Sequence, residues 1–187
     1  SRIMRRRSLS TRLIVSSAII SIILLVITGG VLASLFQAAV ERNFDARLRS
    51  ALDGLLANVE VDATGNLQLS NEIADTRFAL PLSGWYWQVT PETQDDTQSD
   101  LASDSLLEQR LAPTPAMLAS RGADGVASFY MVDGKGANLR AIQQVFQLPG
   151  SSANYAVLVA GNFDELQVEV SAFQQALVVS LVLLGLG

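Results

Sequence analysis

Hydrophobic and polar positions alternate along this chain in three distinct regimes. Leu13 to Phe36 is an uncharged run of 24 residues rich in Ile, Leu and Val. At 1.5 Å per residue a helix of that length reaches roughly 36 Å, enough to cross a hydrocarbon core of about 30 Å with some tilt. The pattern then becomes amphipathic. Phe44, Leu48, Leu52, Leu55 and Val59 recur at spacings of four, four, three and four, with Arg47, Arg49, Asp53 and Asn58 off the stripe. Such a stripe packs on its own domain or forms a seam with a second copy, and Gly65-Asn66 is the turn signal expected to end the helix.

Strand patterns follow. Asn66 to Ser70 alternates Leu67 and Leu69 with polar residues. Ser83 to Val89 sets Trp85, Trp87 and Val89 on one face and Tyr86 and Gln88 on the other. Val126 to Val132 and Asn138 to Leu148 are separated by Asp133-Gly134-Lys135-Gly136, a hairpin-type turn. Pro149-Gly150 turns the chain again, and Tyr155 to Ala160, apolar on both faces, reads as a central strand. Tight turns between consecutive strands predict an antiparallel sheet. Leu101 to Leu111 fits either a short helix or an irregular strand.

The third regime returns to helix. Asn162 suits an N-cap with Glu165 three residues on, and Phe163, Leu166, Val170, Phe173 and Leu177 repeat at three, four, three and four. That is heptad spacing, which suits a partner helix. No Gly or Pro interrupts Phe163 to Leu184, so the helix is expected to run unbroken into a second apolar run, Ala176 to Gly187. Those twelve residues look like the opening of a second span, and a stiff helix of this kind would transmit piston, tilt or rotation.

Charge sets the orientation of this layout. Arg2, Arg5, Arg6, Arg7 and Arg12 precede the first span without an acid among them, which predicts a cytoplasmic N-terminus. All 18 acids lie between Glu41 and Glu169, against eight basic residues there. No basic face is available for phosphates, which argues against nucleic acid as a partner. The first run is too long for the apolar part of a cleaved signal peptide, and amphipathic helix follows it directly. The expected layout is a basic cytoplasmic tail at 1–12, a first transmembrane helix at 13–36, an extracytoplasmic domain at 37–172 and the start of a second transmembrane helix at 173–187.

Catalytic chemistry is not legible in this sequence. It has no Cys and no His, so disulfides, Cys/His metal sites and imidazole bases are excluded, and there is no P-loop or GxSxG. Asp95, Asp96, Asp100 and Asp104 belong to an acidic stretch whose carboxylates suit a hard divalent cation such as Mg²⁺ or Ca²⁺, also as a bridge to anionic lipid. A solvated acidic loop is the alternative, since the spacing matches no calcium loop. Trp85, Tyr86 and Trp87 are candidates for a ligand wall, or for core packing. Arg140 could offer its guanidinium to a carboxylate ligand, or form a cross-strand ion pair.

In order of parts the chain resembles the input half of bacterial two-component sensor histidine kinases. Arg6-Arg7-Ser8-Leu9-Ser10-Thr11-Arg12-Leu13, Phe44-Asp45-Ala46-Arg47-Leu48, Ser83-Gly84-Trp85-Tyr86-Trp87-Gln88-Val89, Ser103-Asp104-Ser105-Leu106, Asn138-Leu139-Arg140 and Val157-Leu158-Val159-Ala160-Gly161 carry the resemblance. It implies an α/β (α+β) PAS-like periplasmic sensor fold, with a central antiparallel sheet flanked by a long N-terminal and a C-terminal helix, each continuous with a transmembrane helix. It also implies a multi-pass protein of the inner membrane acting as a homodimer. Phe44, Leu48, Leu52, Leu55, Phe163, Leu166, Val170 and Phe173 would line its dimer and signalling helices. A kinase region beyond Gly187 would use ATP and Mg²⁺, autophosphorylate on a histidine and pass phosphate to a response regulator. Asp104 stands where relatives tend to be basic, which weakens any shared anion-binding role. A chemoreceptor, a cyclic-dinucleotide enzyme or a non-enzymatic periplasmic scaffold are the alternative outputs of the same topology.

Overall fold

The helical stripe and the strand patterns resolve into an α+β chain. A computed structural model describes residues 9–92 and 100–186. Helix α1 (Leu9–Asn58) is followed by β1 (Val59–Val61), β2 (Leu67–Leu69), β3 (Tyr86–Pro91), β4 (Leu101–Ala102) and the single-turn α2 (Pro115–Leu118). Strands β5 (Val126–Val132), β6 (Asn138–Gln147) and β7 (Asn154–Asn162) then lead into α3 (Asp164–Leu186). The chain divides into two units, Glu41–Gln167 and the pair of segments Ser1–Val40 and Val168–Gly187. The folded unit is thus narrower than the 37–172 expected. Residues on either side of it group with the apolar helical segments, where Phe36 and Phe173 stack at 4.2 Å.

The Glu41–Gln167 unit is built on a five-stranded antiparallel sheet in the order β4-β3-β7-β6-β5. Strand β7 is central, which explains its apolar character on both faces: each face of the sheet meets a separate core. On one face Trp87, Val89, Ile142, Val157 and Val159 pack with Phe44, Leu48, Leu52 and Leu55 of α1. On the other, Tyr86, Phe129, Met131, Leu139 and Leu158 pack under Leu106 and Leu111. Gly161 is required by close approach, because a Cβ there would lie 2.7 Å from both the Phe44 and the Trp85 rings.

Several boundaries differ from expectation. The helical stripe was expected to include Val59 and to end at Gly65-Asn66, but α1 ends at Asn58. The β-branched pair Val59 and Val61 instead forms a hairpin with β2, turned by Asp62, whose Oδ1 accepts Thr64 N–H and Asn66 N–H. Val59 stays buried all the same, so the stripe keeps its contact while the backbone changes. Strand β3 begins at Tyr86 rather than Ser83; Ser83 Oγ accepts Trp85 N–H in the preceding turn. Leu101 to Leu111 is partly both alternatives: the two-residue β4, then a 3-10 turn at Asp104–Leu106. Asn162 was expected as the N-cap of α3 but ends β7 one position earlier: Phe163 carbonyl accepts Gln167 N–H, and Asn162 Oδ1 accepts Asp164 N–H at 2.9 Å in the turn that leads in.

The second unit consists of the apolar parts of α1 and α3. Both helices are long and apolar enough to cross a membrane, and only 6% of each apolar window is buried. Core helices of soluble proteins would bury most of it. Within this unit Gly29 of α1 lets Leu181 of α3 approach to 2.9 Å from the position of a Cβ.

Candidate functional site

Arg140 organises the most polar part of the interior. It lies on β6 between Tyr130 of β5 and Gly161 of β7, and its side chain is 9% exposed. Its guanidinium donates from Nε to Asp45 Oδ1 and from Nη2 to Asp45 Oδ2, both at 2.9 Å. Glu41 Oε1 stands 3.2 Å from Nη2. The planar fork of Arg fits a carboxylate in this bidentate way, which makes the pair directional as well as ionic. The guanidinium also sits over the Tyr130 ring, 4.6 Å from its centroid.

Tyr130 closes the cluster. Its phenol is pushed up to about 12, first by burial and then by its hydrogen bond to Glu41. The phenol therefore stays neutral and able to donate across the ordinary pH range. The same ring packs edge-on against Phe163, with centroids 5.1 Å apart, and Phe163 packs edge-on against Phe44 at 5.8 Å. The entry of α3, the first turns of α1 within this unit, and strands β5 and β6 thus converge on one latch.

Sequence analysis offered Arg140 either a ligand carboxylate or a partner on the next strand. The structure corrects the second: the ion pair is made with carboxylates of α1, and the cross-strand neighbour is the Tyr130 ring. Glu41, Asp45 and Tyr130 were missed. The available signal was Glu41 and Asp45 at i and i+4 beside the apolar stripe, a carboxylate pair aimed at a buried cation.

The aromatic triplet does not form one wall. Trp85 and Trp87 belong to the core under α1 and Tyr86 to the opposite core, as strand alternation requires. Tyr86 Oη donates to Asp133 Oδ2 at 3.1 Å, and burial raises its phenol above the ordinary range. Trp85 carries the Arg77 guanidinium 3.9 Å above its ring, and Arg77 is in turn forked onto Asp75, which holds that carboxyl below its usual value.

Of the four candidate metal ligands, Asp95 and Asp96 lie outside the described residues. Asp100 accepts from Arg110 Nε at 2.7 Å, and Asp104 is exposed at the start of a 3-10 turn. No group of three or more acidic side chains suited to a metal occurs among the described residues.

The helix positions fall into two sets. Phe44, Leu48, Leu52, Leu55 and Phe163 are buried in the core of the Glu41–Gln167 unit, with Leu166 packed against it. Val170 and Phe173 lie beyond it, Phe173 on Phe36 of the same chain.

No known protein family, characterised protein or solved structure matches this chain.

Proposed function

We propose that this chain is the signal-sensing and transmembrane module of a bacterial sensor histidine kinase. The carrying observation is that, along the sequence, a folded unit lies between two apolar helical segments, each of a length and composition suited to a bilayer and each with little of its apolar window buried. The basic segment ahead of α1 favours a cytoplasmic N-terminus, which leaves the Glu41–Gln167 unit on the periplasmic side of a protein anchored in the inner membrane. In this reading the unit is a PAS-like sensor. Ligand binding changes the packing of α3 against α1, and a homodimer carries that change to a kinase region that uses ATP and Mg²⁺ and passes phosphate to a response regulator. A ligand biases such an equilibrium only by its differential affinity for the two states, with coupling typically of about 1–3 kcal/mol.

The Arg140 cluster supports the reading because it fastens α1 to the sheet beside Phe163, where α3 is about to begin. A switch built there would exchange one set of directional contacts for another.

Because the sequence contains no Cys, single cysteines report topology cleanly. A membrane-impermeant maleimide should label Glu108→Cys in intact spheroplasts and Arg5→Cys only after permeabilisation. Labelling of both from the same side would overturn the topology. Acid-labile phosphate on a histidine of the full-length gene product, after incubation with ATP, tests the kinase output separately.

A further inference from the structure

We infer that the cavity beside Trp85 binds a small zwitterion with an apolar side chain, that is, an aliphatic or aromatic α-amino acid. The cavity has a volume of about 450 Å³ and lies wholly within the Glu41–Gln167 unit. That size falls in the range of small-molecule sites, roughly 300–1,000 Å³. One wall is the α1 face bearing Arg47, Ser50 and Gly54; the other is formed by Glu72 and Phe78 of the segment before β3, and by Trp85. Phe78 and Trp85 are buried aromatics whose rings meet edge to face, so the floor is apolar and already packed.

The charges at this cavity separate into a used pair and an unused pair. Arg77 and Asp75 satisfy each other, with Arg77 fixed flat on Trp85. Arg47 and Glu72, both exposed at the cavity mouth, have no hydrogen-bond or ion-pair partner among the described residues. A lone cation and a lone anion on the rim of an apolar floor complement a carboxylate and an ammonium carried on one small apolar body. A simple anion or a simple cation would leave one of the two unanswered.

Gly54 is the independent observation. Glycine is unfavourable inside a helix, and a left-handed backbone or a tight contact would ordinarily account for it. Neither applies here: Gly54 does not have positive φ, and a Cβ built on it would meet nothing within 4 Å. What the missing side chain does is leave the α1 wall of the cavity open.

As the identity of a signal, this inference rests on the sensing role proposed above; as a binding site it is testable without it. The full chain in nanodiscs of zwitterionic lipid would be titrated calorimetrically with L-leucine and L-phenylalanine, with melting temperature followed in parallel. Saturable binding of at least one is expected, with L-leucinamide and N-acetyl-L-leucine each at least tenfold weaker. Arg47→Gln and Glu72→Gln should each weaken binding about tenfold. Gly54→Leu, which adds a good helix former into open space, should melt no lower than the parent and lose binding. No saturable binding up to about 10 mM would overturn the inference, as would equal affinity for the blocked analogues or binding that survives Gly54→Leu. Cysteine labelling is unaffected by any of these outcomes, so failure of the site and failure of the topology are distinguishable.

Discussion

Helix α1 belongs to two regions that treat the same kinds of side chain in opposite ways. Between Leu13 and Leu35 most of its large aliphatic side chains are exposed, Ile14 at 69% and Val26 at 62%. From Phe44 to Leu55 the apolar residues Phe44, Leu48, Leu52 and Leu55 are no more than 3% exposed, and polar residues fill the rest of the surface. One helix thus carries an all-round apolar surface, suited to lipid, and a one-sided stripe, suited to a protein core. Apolar content alone would not separate the two; distribution around the helix does.

The comparison is broken most directly by paired truncations. Leu52→Ala should cost about 2–5 kcal/mol in the stability of the Glu41–Gln167 unit, as a fully buried leucine truncated to a cavity does. Ile23→Ala, on the same helix, should leave its melting transition unmoved in lipid. Equal losses from both would mean that the N-terminal part of α1 is held in a protein core.

Removing the latch comes next. Arg140→Met strands Asp45 beside Glu41, and a loss of about 2 kcal/mol is expected, less than for a wholly buried pair because both acids are partly exposed. Denaturant melts of the parent, Arg140→Met and Asp45→Asn measure it, and the double variant should cost less than the sum of the two.

A smaller effect is confined to alkaline pH. Tyr130 has a folded-state pKa raised to about 12, so the stability it contributes is fully present below about 10 and is lost as pH rises from there through about 12. Tyr130→Phe should flatten that limb and leave stability near pH 7 little changed. An identical alkaline limb in the variant would place its origin elsewhere.

The smallest effect concerns an exposed ion pair. Arg49 and Asp124 form a salt bridge with both side chains about half exposed, so Arg49→Ala should cost no more than about 0.5 kcal/mol, shrinking in high salt. Against Arg140→Met, this isolates what burial adds to an arginine–carboxylate contact.

Local pattern made much of the fold legible. Val126–Val132 and the centrality of β7 were readable because period-two alternation and two-faced hydrophobicity are properties of a single segment. The end of α1 was misread because Val59 continues the helical period while its β-branching and the Asp62 turn favour a hairpin; both demands bury the same side chain. The site was less legible. Arg140 could be singled out as a charge in a strand, but its partners are 95 and 99 positions away in sequence, and nothing local encodes that pairing.

The amino-acid order by itself determined the apolar helical segments, the amphipathic stripe, the strand periods and the charge asymmetry, since each depends on neighbours within a few residues. Tertiary structure alone decided that both faces of β3 meet a core, that α1 answers Arg140, and that Gly54 faces an open cavity. Those outcomes depend on which surfaces the antiparallel sheet brings together, and that is set by long-range pairing, on which short-range periodicity is silent.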